Sequence, residues 1–229
     1  MSVDAPLLAI ETSTTVGSVA VGIDGRAIVE VTLAPPVRHA AMVLPSIEHV
    51  LSTAGVAREE LSGVVIGGGP GSFTGLRIAA ATGKGLCHAL EIPLFAYSGL
   101  AALAVRSGVK DEPVCALLDA RRGEVYAACY RVSEDGIETL YEPAVVPAGQ
   151  LPDEAALEGA LYVGEGAVAN REALEAAGVR LARPADVAPS AGGLLWLARH
   201  AAEAGRVESA AAWEPDYVRA SSAERGVAG

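Results

Sequence analysis

The sequence predicts an α/β protein of two lobes, on three observations: short β-rich runs open the chain, helical periodicity begins only at residue 38, and strands and helices then alternate. The opening runs are residues 7–11, 17–23 and 27–33, separated by a Thr/Ser cluster and by Asp24-Gly25. Asp-Gly between two apolar runs signals a tight hairpin, so the chain starts as consecutive antiparallel strands. From Arg38 the period changes. Val43, Ile47, Val50, Leu51 and Ala54 mark one helical face, Gly55 supplies a C′ residue, and Pro45 predicts a late start or a bend. Val64-Val65-Ile66 reads as a buried strand by its β-branched content. A turn over 67–72 follows, then a helix over about 74–90, a strand over 93–97 and a helix over 99–105. The order β-β-β-α-β-α-β-α suits a mixed sheet with helices packed over it.

That order is the layout of a ribonuclease-H-like lobe. The second half begins with strands near 114–118 and 124–131, joined by Arg121-Arg122-Gly123. It continues through a strand near 137–141, a proline-rich passage (Pro143, Pro147, Pro152), a strand over 161–164 and a helix over 167–177. A final helix over about 191–204 takes Ser190 as its N-cap, and the small, polar tail after Ala220 is expected to fray. No low-complexity linker divides the chain. Two intimate lobes are expected, 1–106 and a smaller 107–229, with the last helix (about 190–205) a candidate to pack back on the first lobe.

The chain has 229 residues, 51% of them hydrophobic, enough for a sizeable core, and a formal net charge of -11. That negative field repels polyanions, and no basic run offsets it, so weak direct nucleic-acid binding is expected. The start lacks a basic region ahead of a long apolar stretch, and no apolar run approaches the roughly 18 to 20 residues that span a bilayer. A soluble cytoplasmic protein without membrane association is expected. Cys87, Cys115 and Cys129 are widely spaced in apolar segments, which predicts buried reduced thiols with no disulfide or metal role. His39, His49, His88 and His200 include no i, i+4 pair, so no helix offers two imidazoles to one metal. No G-x-S-x-G elbow and no cysteine nucleophile motif occurs.

Some segments still invite a functional reading. Glu11-Thr12-Ser13-Thr14-Thr15 sets hydroxyls and N–H groups behind a carboxylate, which could hold a phosphate chain and Mg²⁺, although a turn that satisfies its own backbone is the simpler reading. The run Ile66 to Arg77 is a glycine-rich bend into a helix, an anion site in principle. It matches neither phosphate-binding pattern, so close backbone approach explains it better. In the helix that follows, Gly75, Ala79 and Gly83 recur at i, i+4 and i+8, and Gly85 adds another glycine. Interior glycine costs roughly 1 kcal/mol against alanine, so the stripe admits either the chain's own sheet or a partner helix. Leu76, Ile78, Leu86 and Leu90 are the other candidates for the sheet side. Asp119, Arg121 and Glu124 meet around one hairpin turn, as an ion-pair network or a ligand-orienting cluster; surface pairs contribute only about 0 to 1 kcal/mol.

Ala9-Ile10-Glu11-Thr12-Ser13, the stretch from Gly67 to Arg77, and Leu118-Asp119-Ala120-Arg121-Arg122-Gly123-Glu124-Val125-Tyr126 together resemble the TsaB (YeaZ) family. Gly-Pro-Gly-Ser-Phe-Thr-Gly-Leu-Arg is the most specific part, and the likeness loosens beyond about Tyr126. The resemblance implies a two-lobed actin-like, sugar-kinase-like (ASKHA) fold with a reduced second lobe. It also implies a non-catalytic scaffold in the complex that transfers threonylcarbamoyl from threonylcarbamoyl-AMP to N6 of adenosine 37 in tRNA, making t6A. The implied partners are the catalytic paralogue TsaD, which carries the metal ion, the ATPase TsaE, and a second copy of the chain when it is alone. The tRNA is held mainly by other subunits. The complex uses ATP and Mg²⁺, whereas this chain has no cofactor of its own.

By that resemblance the helices over 38–54 and 74–90 form the contact, through Arg38, His39, Met42, Ser72, Phe73, Thr74, Gly75, Leu76, Arg77, Ala79 and Gly83. Glu11, Thr12, Ser13, Thr14, Gly69 and Gly71 mark a vestigial nucleotide site, and Asp119, Arg121 and Glu124 a second-lobe signature. TsaD-type relatives are similar at Glu11-Thr12-Ser13 and at Gly164 to Asn170, but carry paired histidines where this chain has His39 alone. Ser13 replaces a glycine that often admits phosphate in the superfamily. Two rival functions are a glycoprotease-like metallopeptidase, which lacks evident ligands here, and an autonomous ATP-binding enzyme, suggested by the hydroxyl-rich first turn.

Overall fold

A computed structural model describes residues 5–35, 39–148, 158–176, 178–182 and 188–216. Its strands are β1 (Leu7–Glu11), β2 (Gly17–Ile23), β3 (Arg26–Leu33), β4 (Gly63–Gly69), β5 (Leu94–Ser98), β6 (Pro113–Arg121), β7 (Glu124–Val132), β8 (Ile137–Pro147), β9 (Leu161–Val163) and β10 (Arg180–Leu181). The helices are α1 (His39–Ala54), α2 (Phe73–Leu90), α3 (Gly99–Arg106), α4 (Glu165–Ala169), α5 (Arg171–Ala176), α6 (Ala191–His200) and α7 (Ala202–Gly205), with a 3₁₀ turn over Arg58–Glu60. Two five-stranded sheets result, in the orders β3-β2-β1-β4-β5 and β10-β9-β6-β7-β8.

Alternation along β1 decides what each face of the first sheet covers. Leu8 and Ile10, with Val19, Val21, Val64 and Ile66, form one core with Val43, Ile47, Val50 and Leu51 of α1 and Ala79, Ala80 and Cys87 of α2. Leu7 and Ala9 point the other way, into a core with Leu100 and Leu103 of α3 and Leu194, Leu195 and Leu197 of α6. That second core continues into Val114, Ala116 and Leu118 of β6, so one apolar mass joins the two sheets. A third core on the far side of the second sheet holds Leu117, Val125, Ala127 and Leu174.

Helix α6 comes late in the chain yet lies on the first sheet. Ser190 caps it by accepting from the Gly193 N–H at 3.1 Å, the Ala191 N–H donates to Ser18 Oγ at 2.7 Å, and Arg199 pairs with Asp24 at 2.6 Å. The chain then runs along the β5 edge. The Val207 N–H donates to the Leu94 carbonyl at 3.0 Å, and the Asp216 N–H donates to the Gly68 carbonyl at 2.8 Å. This passage covers an edge that would otherwise expose unpaired backbone groups.

Several expectations need correction. The late start is corrected: α1 already runs from His39, with Pro45 inside it on the exposed side. The helix expected over 167–177 is two short helices broken at Asn170, and the last helix divides at Ala201, whose φ and ψ of -138° and 41° leave the helical region. β8 runs through Pro143 to Pro147, which a sheet tolerates because β8 is an edge strand among the described residues. β10 was not expected; two residues carry no readable period. Pro152, the tail after Ala220 and Arg38 lie outside the described residues.

The cysteine expectation is also overturned. Cys115 and Cys129 form a disulfide, and only Cys87 is a buried free thiol. The antiparallel register of β6 and β7 sets Cys115 directly opposite Cys129 with both side chains on one face. A separation of 14 residues reveals nothing of this until the hairpin is formed. Burial also pushes the Cys87 thiol up to about 11, against a backbone hydrogen bond to Val64. A thiol reagent is therefore expected to find no reactive group in the native protein. It should find one per chain after denaturation without reductant, and all three cysteines after reduction.

Candidate functional site

The exposed sides of α1 and α2 carry large apolar side chains that the core does not use. Met42 is 39% exposed, Leu44 58% and Phe73 39%. The guanidinium of Arg77, one turn on from Phe73, lies 4.6 Å from the centre of its ring, and Ser72, Thr74 and Arg77 are exposed around it. The N-terminal ends of the two helices meet around the loop that follows β1. His39 Nε2 stands about 3.1 Å from where a Gly17 side chain would begin, and Ser72 at the start of α2 is tied to Ser13. Aromatic and arginine side chains on such a surface are the types that dominate protein recognition.

The stripe of small residues faces the other way. Gly75, Leu76, Ala79 and Gly83 are buried, with Leu76 1% and Ala79 0% exposed in the single chain. A side chain at Gly83 would press on Ile66 and Leu94 of the sheet. The expectation that these four residues touch a partner is therefore corrected: the i, i+4 spacing lets the helix settle onto its own sheet. Leu44, two positions from Met42 and so on the opposite flank of α1, is a further exposed apolar side chain, visible in the sequence as an apolar residue off the Val43, Ile47, Val50, Leu51 face.

Beneath α2 lies the triplet Glu11-Thr12-Ser13. Three glycines of the following segment each abut one of its residues: a side chain at Gly67 would collide with the Glu11 carboxyl, at Gly71 with the Ser13 carbonyl, and at Gly75 with the Thr12 carbonyl. Hydrogen bonds reinforce the contact. The Ser13 N–H donates to Glu11 Oε1 at 2.6 Å, the Ser72 N–H donates to the Ser13 carbonyl at 2.7 Å, and Thr12 Oγ1 donates to the Gly75 carbonyl at 2.8 Å.

A nucleotide does not fit these residues. Glu11, Thr12, Ser13 and Thr14 are 0, 0, 2 and 5% exposed, Gly69 is covered by Asp216, and the Thr12 hydroxyl and Ser13 N–H that would serve a phosphate are engaged within the fold. The side chains of Glu11 and Ser13 instead face Gly99 at the start of α3; Glu11 Oε2 and Ser13 Oγ have no hydrogen-bond partner among the described residues.

Burial holds the Glu11 carboxyl above its ordinary range, against hydrogen bonds from Ser13 and Thr12. The folded chain thus keeps a proton that the unfolded chain releases near pH 4.5, so this contribution to stability is full below that pH and is lost as pH rises through the folded-state pKa. Glu11→Gln keeps the Oε1 acceptor and cannot ionise. Its stability in urea is expected to fall less than that of the parent protein as pH rises above about 4.5.

In the second sheet, Asp119 Oδ1 accepts the Arg121 N–H at 2.7 Å, and Arg121, Arg122 and Gly123 turn the hairpin with positive φ values of 65°, 60° and 76°. Glu124 pairs with Arg121 in the strand register. Asp119 also lies beside Glu165, whose carboxyl is raised first by burial and then by the Asp119 charge, against a hydrogen bond from the Asp119 backbone. Sequence spacing gave no hint of that pairing, which joins segments 46 positions apart through the parallel β6–β9 contact. Among the described residues no three His, Cys, Asp or Glu side chains come together to hold a metal ion, and no helix is long and apolar enough to cross a membrane.

Residues 36–223 match the family model described as TsaD: tRNA N6-adenosine threonylcarbamoyltransferase. Among curated proteins, the TsaB protein of Escherichia coli is 36% identical over 148 residues, 61% of this chain and 64% of that one. The Bacillus subtilis TsaB protein is 32% identical over 58% of each chain. The chain therefore spans less than two-thirds of the curated relatives it matches first. Among solved structures, YeaZ from Pseudomonas aeruginosa is 33% identical with a TM-score of 0.79, covering 93% of this chain and 99% of that one. Another from that organism, described as similar to peptidase YeaZ, is 35% identical with the same TM-score of 0.79, covering 94% of this chain and all of that one.

Proposed function

The chain belongs to the TsaB (YeaZ) family, and from that membership we propose that it is a non-catalytic scaffold subunit of the tRNA threonylcarbamoyladenosine machinery. In this reading it binds a catalytic TsaD-type subunit through the outer surface of α1 and α2, and it uses the same surface for a second copy of itself when that subunit is absent. The transfer and its metal ion reside on the TsaD-type subunit, the ATPase TsaE joins the complex, and the complex as a whole uses ATP, Mg²⁺ and threonylcarbamoyl-AMP. The reaction takes place in the cytoplasm.

The observation that carries the reading is the exposure of Met42 and Phe73 beside a buried Glu11-Thr12-Ser13. The face that could recognise a protein is open, whereas the segment that would recognise a nucleotide is closed. The acidic net charge of -11 agrees with tRNA being held elsewhere. Reconstitution tests the proposal: threonylcarbamoyl transfer to tRNA by the TsaD-type and TsaE-type subunits should require this chain, and the chain should elute with the TsaD-type subunit in gel filtration. Full transfer without it would overturn the reading.

A further inference from the structure

The residues that resemble a nucleotide site are closed to a nucleotide, and the same contacts give them another use. We propose that Thr12, held by Glu11 and Ser13, is a positioning residue that fixes the first turn of α2 and with it the recognition surface. This inference rests on the reading of that surface given above.

Hydrogen bonds from the triplet bracket Phe73. Ahead of it, the Ser72 N–H is held by the Ser13 carbonyl at 2.7 Å; behind it, the Gly75 carbonyl is held by Thr12 Oγ1 at 2.8 Å. Thr12 and Gly75 are 63 positions apart, so this bond ties the turn to β1 from outside the helix, beside the local cap in which Ser72 Oγ accepts the Gly75 N–H at 3.4 Å. Ser13 is itself anchored, since its N–H donates to the buried Glu11 carboxyl at 2.6 Å. The turn packs closely on the triplet, since a side chain at Gly71 or Gly75 would collide with the carbonyl of Ser13 or Thr12. The same loop reaches α1, where Gly17 faces the His39 ring. A shift in Thr12 thus moves Phe73 and Arg77 relative to His39 and Met42, without any of these being replaced. The Thr12 hydroxyl and the Ser13 N–H are spent within this brace and are not free for phosphate.

The test compares Thr12→Val, which keeps shape and loses the hydroxyl, with Thr12→Ser, which restores it. Hydrogen exchange on the full chain should quicken about fivefold to tenfold at the amides of residues 72–78 in Thr12→Val, the loss of one buried hydrogen bond. It should stay unchanged elsewhere in α1 and α2, and return to the parent rate in Thr12→Ser. Affinity for the TsaD-type subunit should weaken by a similar factor and recover with serine. Unchanged exchange in Thr12→Val overturns the brace. Faster exchange with unchanged affinity overturns its link to recognition. If the parent chain does not bind the TsaD-type subunit at all, the scaffold reading falls, while exchange at α2 still decides whether the brace exists. Should Thr12→Val not fold, Thr12→Cys, a weaker donor, is expected to show an intermediate rise, and parent-like exchange in it overturns the brace. Calorimetry with ATP and Mg²⁺ should give no saturable heat; saturable binding lost in Thr12→Val would assign the hydroxyl to a nucleotide instead.

Discussion

Gly75→Ala is expected to lower stability by about 3 kcal/mol, the upper end for forcing a methyl into a closed space, or roughly 6 to 12 °C in Tm. The added carbon would collide with the Thr12 carbonyl, which is backbone and cannot rotate away. Either α2 lifts from the sheet, or the end of β1 moves and breaks the contacts of Thr12 and Ser13. Gly85 in the same helix provides the opposite case. Nothing lies within 4 Å of its would-be side chain, so Gly85→Ala is expected to stabilise by about 0.5 to 1 kcal/mol through helix propensity alone. Urea denaturation of both variants reads the difference. Equal effects of one sign would show that the approach of α2 to β1 is not the constraint described.

Phe73→Asp is expected to weaken association with the TsaD-type subunit by about 30-fold or more while leaving the fold nearly intact. A buried aromatic anchor at a protein interface typically carries about 2 kcal/mol or more, and a charge in its place adds desolvation without a partner. In the single chain Phe73 is 39% exposed, and its contact with Arg77 is a surface cation–π pair worth about 0.5 to 1 kcal/mol, so stability should change little. Ala79→Asp should behave in the reverse way, since Ala79 is fully buried against the sheet and the variant fails by unfolding. Calorimetric titration against the TsaD-type subunit, with thermal melts of each variant alone, separates the two effects. Loss of binding in Phe73→Asp accompanied by an equal loss of folding would remove the case for a recognition surface.

The contrast between Phe73 and Ala79 shows where reading the sequence stops. Both sit on α2 in a run that resembles an interface, and the stripe of small residues looks as ready for a partner as for a sheet. Helical spacing says that Gly75, Ala79 and Gly83 share a side; it does not say what that side meets. Ile66 and Leu94, which fill the space opposite Gly83, come from two strands of the sheet, and only their assembly shows the stripe turned inward. The same limit applies to Glu165, whose neighbour Asp119 arrives through pairing of β6 with β9.

What the sequence determined by itself was local: the Asp24-Gly25 hairpin, the helix ended by Gly55, the Ser190 cap, and an order of strands and helices that admits a two-sheet α/β fold. These follow from backbone preferences and apolar period, which a few neighbouring residues encode. The tertiary structure alone decided that Cys115 meets Cys129, that Glu11 is sealed in the core, and that Gly67, Gly71 and Gly75 are shaped around Glu11, Ser13 and Thr12. Each of those depends on register between segments distant in the chain, where a shift of one residue turns a side chain to the opposite face.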